Sequence, residues 1–197
     1  MRRVGFGELP VATASLAQAL IGYILVRETD GEITAGRIIE CEAYALNDPA
    51  SHAYGGPRPR TASMFLHPFH AYVYQIYGMY FCFNVSSETE GEGAGVLVRA
   101  LEPLEGIPRM QQRRGTDRVA DLCRGPGRVC AALDIDRSLD GVDLLRDPRL
   151  WIAAGDRPAG AIGVSRRIGI SRAAALELRF YERGNPLLSG PKSLSPD

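Results

Sequence analysis

The run AYVYQIYGMYFCFNV at residues 71–85 sets aromatic and β-branched residues on both sides of Gly78, and it limits what this chain can fold into more than any other feature. The halves 71–76 and 79–85 read as a β-hairpin with Tyr77, Gly78 and Met79 near its tip. Strand signals surround it. Residues 23–26 and 33–44 flank the turn pair Asp30-Gly31 and form a second hairpin, and residues 95–101 give a further strand whose one charge is Arg99. Along 33–44 the two-residue period puts Ile39, Cys41 and Ala43 on one face and Glu40, Glu42 and Tyr44 on the other, so this strand delivers two carboxylates and a phenol to one side.

Helical spacing is confined to short stretches. Leu16, Ala19 and Leu20 mark a helix within 13–21, another follows Pro103 through Arg114, and Val129, Ala132 and Leu133 mark a third after Gly125-Pro126-Gly127-Arg128. Proline near that helix start leaves free amides around it, a seat suited to a phosphate. Residues 47–61, rich in Pro, Gly, Ser, His and Arg, form a loop of the length usually kept for function. The last third alternates strand-like runs at 150–153, 161–164 and 176–181 with turns, and the tail beyond Ser189 is polar and expected to fray.

Composition narrows the chemistry. A chain of 197 residues, 45% hydrophobic, closes one core rather than two. The 23 basic residues balance the 23 acidic ones, so charge alone announces no nucleic-acid partner, yet Lys192 is the only lysine and every other basic residue is arginine. Cys41, Cys82, Cys123 and Cys130 form no short-spaced pairs and read as buried thiols in a reducing compartment. Gly5, Gly7, Glu8 and Pro10 interrupt the stretch after Met1-Arg2-Arg3, so it does not read as a secretory signal, and no run is long enough to span a bilayer. A cytoplasmic protein is expected. The sequence holds no phosphate-binding loop, dinucleotide fingerprint or zinc signature; His67 and His70, split by Pro68, read as structural. Catalysis without metal or cofactor is the expectation.

What remains is an acid-and-aromatic set: Glu42, Tyr44, His52, Tyr74, Tyr77, Asn84 and Arg99. Each has an ordinary reading as a sheet aromatic, a turn residue, a paired charge or the wet side of a strand; only the combination points to a site. The stretches IIECEAY (38–44), Ser51-His52-Ala53, Pro59-Arg60-Thr61 with Met64-Phe65, AYVYQIYGMYFCFN (71–84) and VLVRALEP (96–103) resemble, in order, the alkyladenine (3-methyladenine) DNA glycosylase family. RGPGRVCAAL (124–133), Arg167-Ile168-Gly169 and RFYERGNP (179–186) continue the match, so the resemblance covers nearly the whole chain.

The resemblance implies an α+β fold: a single compact domain, residues 1–190 with a frayed tail at 191–197, built on a curved antiparallel sheet with flanking helices and a protruding β-hairpin that enters DNA. It implies a monomeric enzyme that flips alkylated or deaminated purines out of double-stranded DNA and hydrolyses their N-glycosidic bond. Tyr77 matches the intercalating tyrosine, with Met79 and Tyr80 against adjacent bases or the pocket floor. Tyr44, His52 and Tyr74 match the aromatic walls, whose ring faces favour a cationic base. Asn84 matches the asparagine that collides with a guanine amine. Glu42 matches the general base and Arg99 the arginine beside the attacking water, with the Ile168 backbone helping to position that water. Arg60, Thr61, Gly127 and Arg128 match phosphate contacts. Arg128 stands where many relatives carry lysine. Glu40 is the rival acid, set aside on motif position.

Two alternatives compete with this reading. A helix-hairpin-helix glycosylase suits Gly125-Pro126-Gly127 but not the upstream strands, and a non-catalytic nucleic-acid-binding module of the same fold leaves Glu42, Arg99 and Asn84 together unexplained. Independently of the family, a chain whose single lysine lies in its tail has little to offer as a Schiff-base amine, so a monofunctional enzyme is expected, and borohydride should trap no adduct to damaged DNA.

Overall fold

The structure, a computed structural model, describes residues 1–155 and 157–195. In chain order it comprises α1 (Thr13–Ala19), β1 (Ile24–Thr29), β2 (Glu32–Tyr44), β3 (Ala71–Ile76), β4 (Tyr80–Ser86), β5 (Gly95–Glu105), α2 (Ile107–Arg114), α3 (Pro126–Leu133), β6 (Leu150–Ala153), β7 (Ile162–Ser165) and β8 (Arg179–Glu182), with 3-10 turns between. One curled antiparallel sheet orders its strands β3-β4-β5-β2-β1-β6, and β8 joins β2 beyond the point where β1 ends and pairs in turn with β7. The expected α+β single domain is what the chain forms.

The second hairpin turns where the sequence placed it, with Asp30 and Gly31 both at positive φ. α1 and α3 lie on one face of the sheet, where Leu16, Leu20, Val129, Cys130 and Leu133 pack with Cys41, Ala43, Phe83, Val85, Val96 and Val98. Burying this set removes the apolar surface that drives folding. All four cysteines are buried free thiols, and burial pushes the Cys123 thiol up to about 12. Among the described residues no helix is long and apolar enough to cross a membrane.

β5 runs on to Glu105, so the helix expected directly after Pro103 begins only at Ile107. Pro103 keeps its strand place opposite Gly36, at the start of a register shift. A second correction concerns β2. Ile38 faces Leu101 and Cys41 faces Val98, but between them only Glu40 and Ala100 pair, which leaves Ile39 and Arg99 as bulged residues on opposite strands. Ile39 therefore leaves the face of Cys41 and Ala43 and packs with Ala100, Tyr181 and Leu188. At the other end of the chain, Lys192–Leu194 form a 3-10 turn and Ser195 accepts a hydrogen bond from Arg179; residues 196 and 197 of the expected frayed tail lie outside the described residues.

Candidate active site

The alternation of β3 builds one wall of a cavity of about 360 Å³. Ala71 and Val73 point into the core while Tyr72, Tyr74 and Ile76 line the cavity, and across the hairpin Asn84 and Cys82 stand opposite Tyr72 and Tyr74. The Tyr72 and Tyr74 rings stack at 5.3 Å, and His52 meets Tyr74 edge-on at 4.5 Å. His52 Nδ1 shares a 3.0 Å hydrogen bond with the Tyr72 hydroxyl, and the Asn84 amide donates to the Tyr72 carbonyl. Tyr44, Arg99, Leu97, Met64 and residues 168–170 complete the lining, with Tyr77 and Pro126 contributing from the hairpin tip and the start of α3.

Beneath the lining residues, Glu42 is fully buried. Its Oε1 accepts the Ile168 amide at 2.7 Å, and its Oε2 accepts the Tyr44 hydroxyl at 2.9 Å and lies 3.2 Å from Arg99 NH1. The bulge at residue 99 is what brings this guanidinium between the carboxylates, because its Nε donates to Glu40 Oε1 at 3.1 Å. Burial opposes the charge on Arg99, but Glu42 and Glu40 outweigh it and hold its pKa above the ordinary value. Burial, then the charge on Glu42, raises the Tyr44 phenol, which keeps its proton and donates a hydrogen bond to Glu42. Glu40 is committed elsewhere: its oxygens accept Arg179 Nε at 2.7 Å and the amide and hydroxyl of Ser189. Of the two acids, Glu42 has the cavity-lining Tyr44 and Ile168 as its direct partners.

The hairpin tip stands in solvent. Tyr77 is 89% exposed, Met79 67% and Tyr80 46%, with Tyr77 and Gly78 both at positive φ. Tyr80 packs beside Gly127 at the N-terminal end of α3, and the cleft between them carries Arg114, Arg124 and Arg128. On the other side of the cavity, Arg58, Arg60 and Arg172 line a cleft that shares Ser51 and His52 with it. Neither cleft has a carboxylate among its lining residues, although Arg128 reaches Asp121 at 3.3 Å. Thr61 is buried, its hydroxyl exchanging hydrogen bonds with the backbone of Arg58. Arg113 is not part of either cleft: it donates to the Ala132 carbonyl and faces Asp134. Among the described residues no group of three or more His, Cys, Asp or Glu is placed to hold a metal ion; His67 meets Glu90, and His70 turns to the His67 carbonyl.

Residues the sequence reading passed over complete the site. Tyr72, two before Tyr74, was legible in the period of β3. Arg167 stood in the matching stretch 167–169 with no role attached; its side chain is wholly buried, paired with Asp48 and laid over the Tyr44 ring at 4.6 Å.

The site thus sets an aromatic slot over a buried carboxylate, beside an exposed tyrosine and two arginine-lined clefts. The chain belongs to the methylpurine-DNA glycosylase family, whose profile matches residues 8–186. It is 54% identical over 187 residues to a putative 3-methyladenine DNA glycosylase of Mesorhizobium japonicum, covering 95% of this chain and 90% of that protein. It is 46% identical to one from Paraburkholderia phytofirmans, covering 95% of this chain and 88% of that protein. It is also 42% identical to the DNA-3-methyladenine glycosylase of Homo sapiens, covering 96% of this chain and 68% of that protein.

Proposed function

We propose that this protein is a monofunctional DNA-3-methyladenine glycosylase of base excision repair, which hydrolyses the N-glycosidic bond of a flipped purine and leaves an abasic site. The observation that carries the reading is Glu42: a carboxylate buried against Arg99, Tyr44 and the Ile168 amide, next to a cavity walled by tyrosines and a histidine. A carboxylate so placed takes the proton of an attacking water and stabilises the positive charge that develops on the sugar. Arg99 fixes its orientation, and the Ile168 backbone contributes to placing the water.

Tyr44, His52 and Tyr74 receive the extruded base, and Asn84, anchored on the Tyr72 carbonyl, occupies the space a guanine amine requires. Ring faces favour 3-methyladenine, which is cationic and a good leaving group; 7-methylguanine shares that charge but carries the amine that meets Asn84, and hypoxanthine and ethenoadenine fit the same slot as flat neutral rings. Tyr77 fills the gap left in the duplex, supported by Met79 and Tyr80. Arg60, Arg128 and the amides at Gly127 contact phosphates, and Thr61 holds the turn that presents Arg60. Lys192, the one lysine, is not among the residues lining the cavity, which supports hydrolysis by water over Schiff-base chemistry.

Single-turnover base release from duplexes carrying hypoxanthine or ethenoadenine tests the reading. Glu42→Gln is expected to abolish release while lesion binding survives, and Tyr77→Ala to weaken binding. No release by the native protein from any lesion duplex, methylated DNA included, would leave a binding module as the better description.

A further inference from the structure

The geometry points to Arg167, together with Asp48, as a positioning residue that sets the Glu42 carboxylate, the Tyr44 ring and the His52 loop in one arrangement; the inference rests on the glycosylase reading above. Arg167 makes three kinds of contact at once. Its NH1 donates to the Ala43 carbonyl at 2.9 Å, on the strand residue between Glu42 and Tyr44. Both terminal nitrogens grip Asp48, NH2 at 3.2 Å from Oδ1, and the guanidinium lies over the Tyr44 ring. The next residue in the chain gives its amide to Glu42 Oε1.

Asp48 extends the grip into the loop. Its Oδ1 accepts the Ala50 amide at 2.9 Å and its carbonyl accepts the Ser51 amide, and this turn leads directly into His52. One buried ion pair thus links the segment that donates to the base, the strand that carries it and the loop that walls the cavity. Taking both charges out of water is costly, and such pairs rarely add stability over apolar replacements, so what this pair contributes is the arrangement it enforces. The buried Arg167 Nε, left without a hydrogen-bond partner, fits a side chain held by its other contacts. A loosened Arg167 would free Ile168 and Tyr44 together, and both of these hold Glu42.

The test is single-turnover release of ethenoadenine from a duplex, with lesion affinity and melting temperature measured on the same preparations. The double variant Asp48→Leu/Arg167→Met replaces the pair by apolar side chains of comparable length and is expected to melt near the native protein. Its release rate should fall about 100-fold, the scale of a displaced catalytic group, while affinity changes by less than about tenfold. Arg167→Lys, which keeps the charge but not the planar two-pronged grip, should release base at an intermediate rate. A double variant that releases base at the native rate overturns the inference, as does one whose rate and affinity fall by the same factor, since Arg167 would then only build the pocket. If the double variant does not fold, a native rate in folded Arg167→Lys overturns it equally. A native protein that releases no base overturns the glycosylase reading and this inference with it, whereas the variant outcomes bear on this inference alone.

Discussion

His52 stands between the Tyr72 hydroxyl and the Tyr74 ring, and burial, followed by the charge on Arg60, holds its pKa below the ordinary value. Because the folded value lies below the unfolded one, the unfolded chain takes up the proton first as pH falls. The stability tied to neutral His52 is therefore intact above the ordinary histidine range, declines as pH drops from about 6.5 towards the folded value, and declines no further beneath it. Urea midpoints measured at about pH 7.5 and about pH 5.5 should drop further for the native protein than for His52→Gln. Equal drops would place the proton uptake elsewhere. At this scale the sequence named Glu42, Tyr44, His52, Tyr74, Asn84 and Arg99 through a motif, and the structure draws them to one cavity or directly behind it. It left Asp48 unnamed and Arg167 without a role, because their pairing spans more than a hundred residues and no local period encodes it.

The hairpin of β3 and β4 joins two demands that conflict at Tyr77. A tight turn between right-twisted strands needs positive φ, which Gly78 adopts freely and Tyr77, at φ 50°, adopts at a cost of roughly 1 kcal/mol. Asparagine tolerates that backbone, so Tyr77→Asn should keep or raise unfolding stability, by at most about 1 kcal/mol, and yet lose the long-lived complex with a lesion duplex. Thermal melts and dissociation rates measured side by side check this; a variant that loses stability as well would make the tyrosine part of the fold. The hairpin and its tip were legible because period-two patterning and glycine are local signals. The paired bulges were not, because a bulge depends on the partner strand, and the sequence of β2 alone continues its alternation through Ile39.

Across the whole molecule the net charge is zero, and the arginines that matter are concentrated by placement. Arg58, Arg60 and Arg172 lie on one side of the cavity and Arg114, Arg124 and Arg128 on the other, in clefts without lining carboxylates. Affinity for a lesion duplex should therefore fall steeply with added salt, and Arg58→Ala should reduce the logarithmic salt slope by about one. A flat salt response would count against these clefts as the phosphate-binding face. Composition could not show this distribution, since it counts charges without locating them.

The two bulges at Ile39 and Arg99 compensate each other, so the register between β2 and β5 is the same on either side of them. Removing a regularly paired residue of β2 ahead of Ile39 would turn the residues beyond the gap to the opposite face, exposing Cys41 and Ala43 and burying Glu42 and Tyr44 in the core, whereas removing the bulged Ile39 would leave Ile38, Glu40 and Cys41 in plain alternation. A change of length by one residue in these strands is therefore absorbed at a bulge and not between paired positions. Descendants of this sequence can lose a single residue at either bulge but not between paired positions, and a designer who wants to lengthen the protein must choose a bulge or a loop.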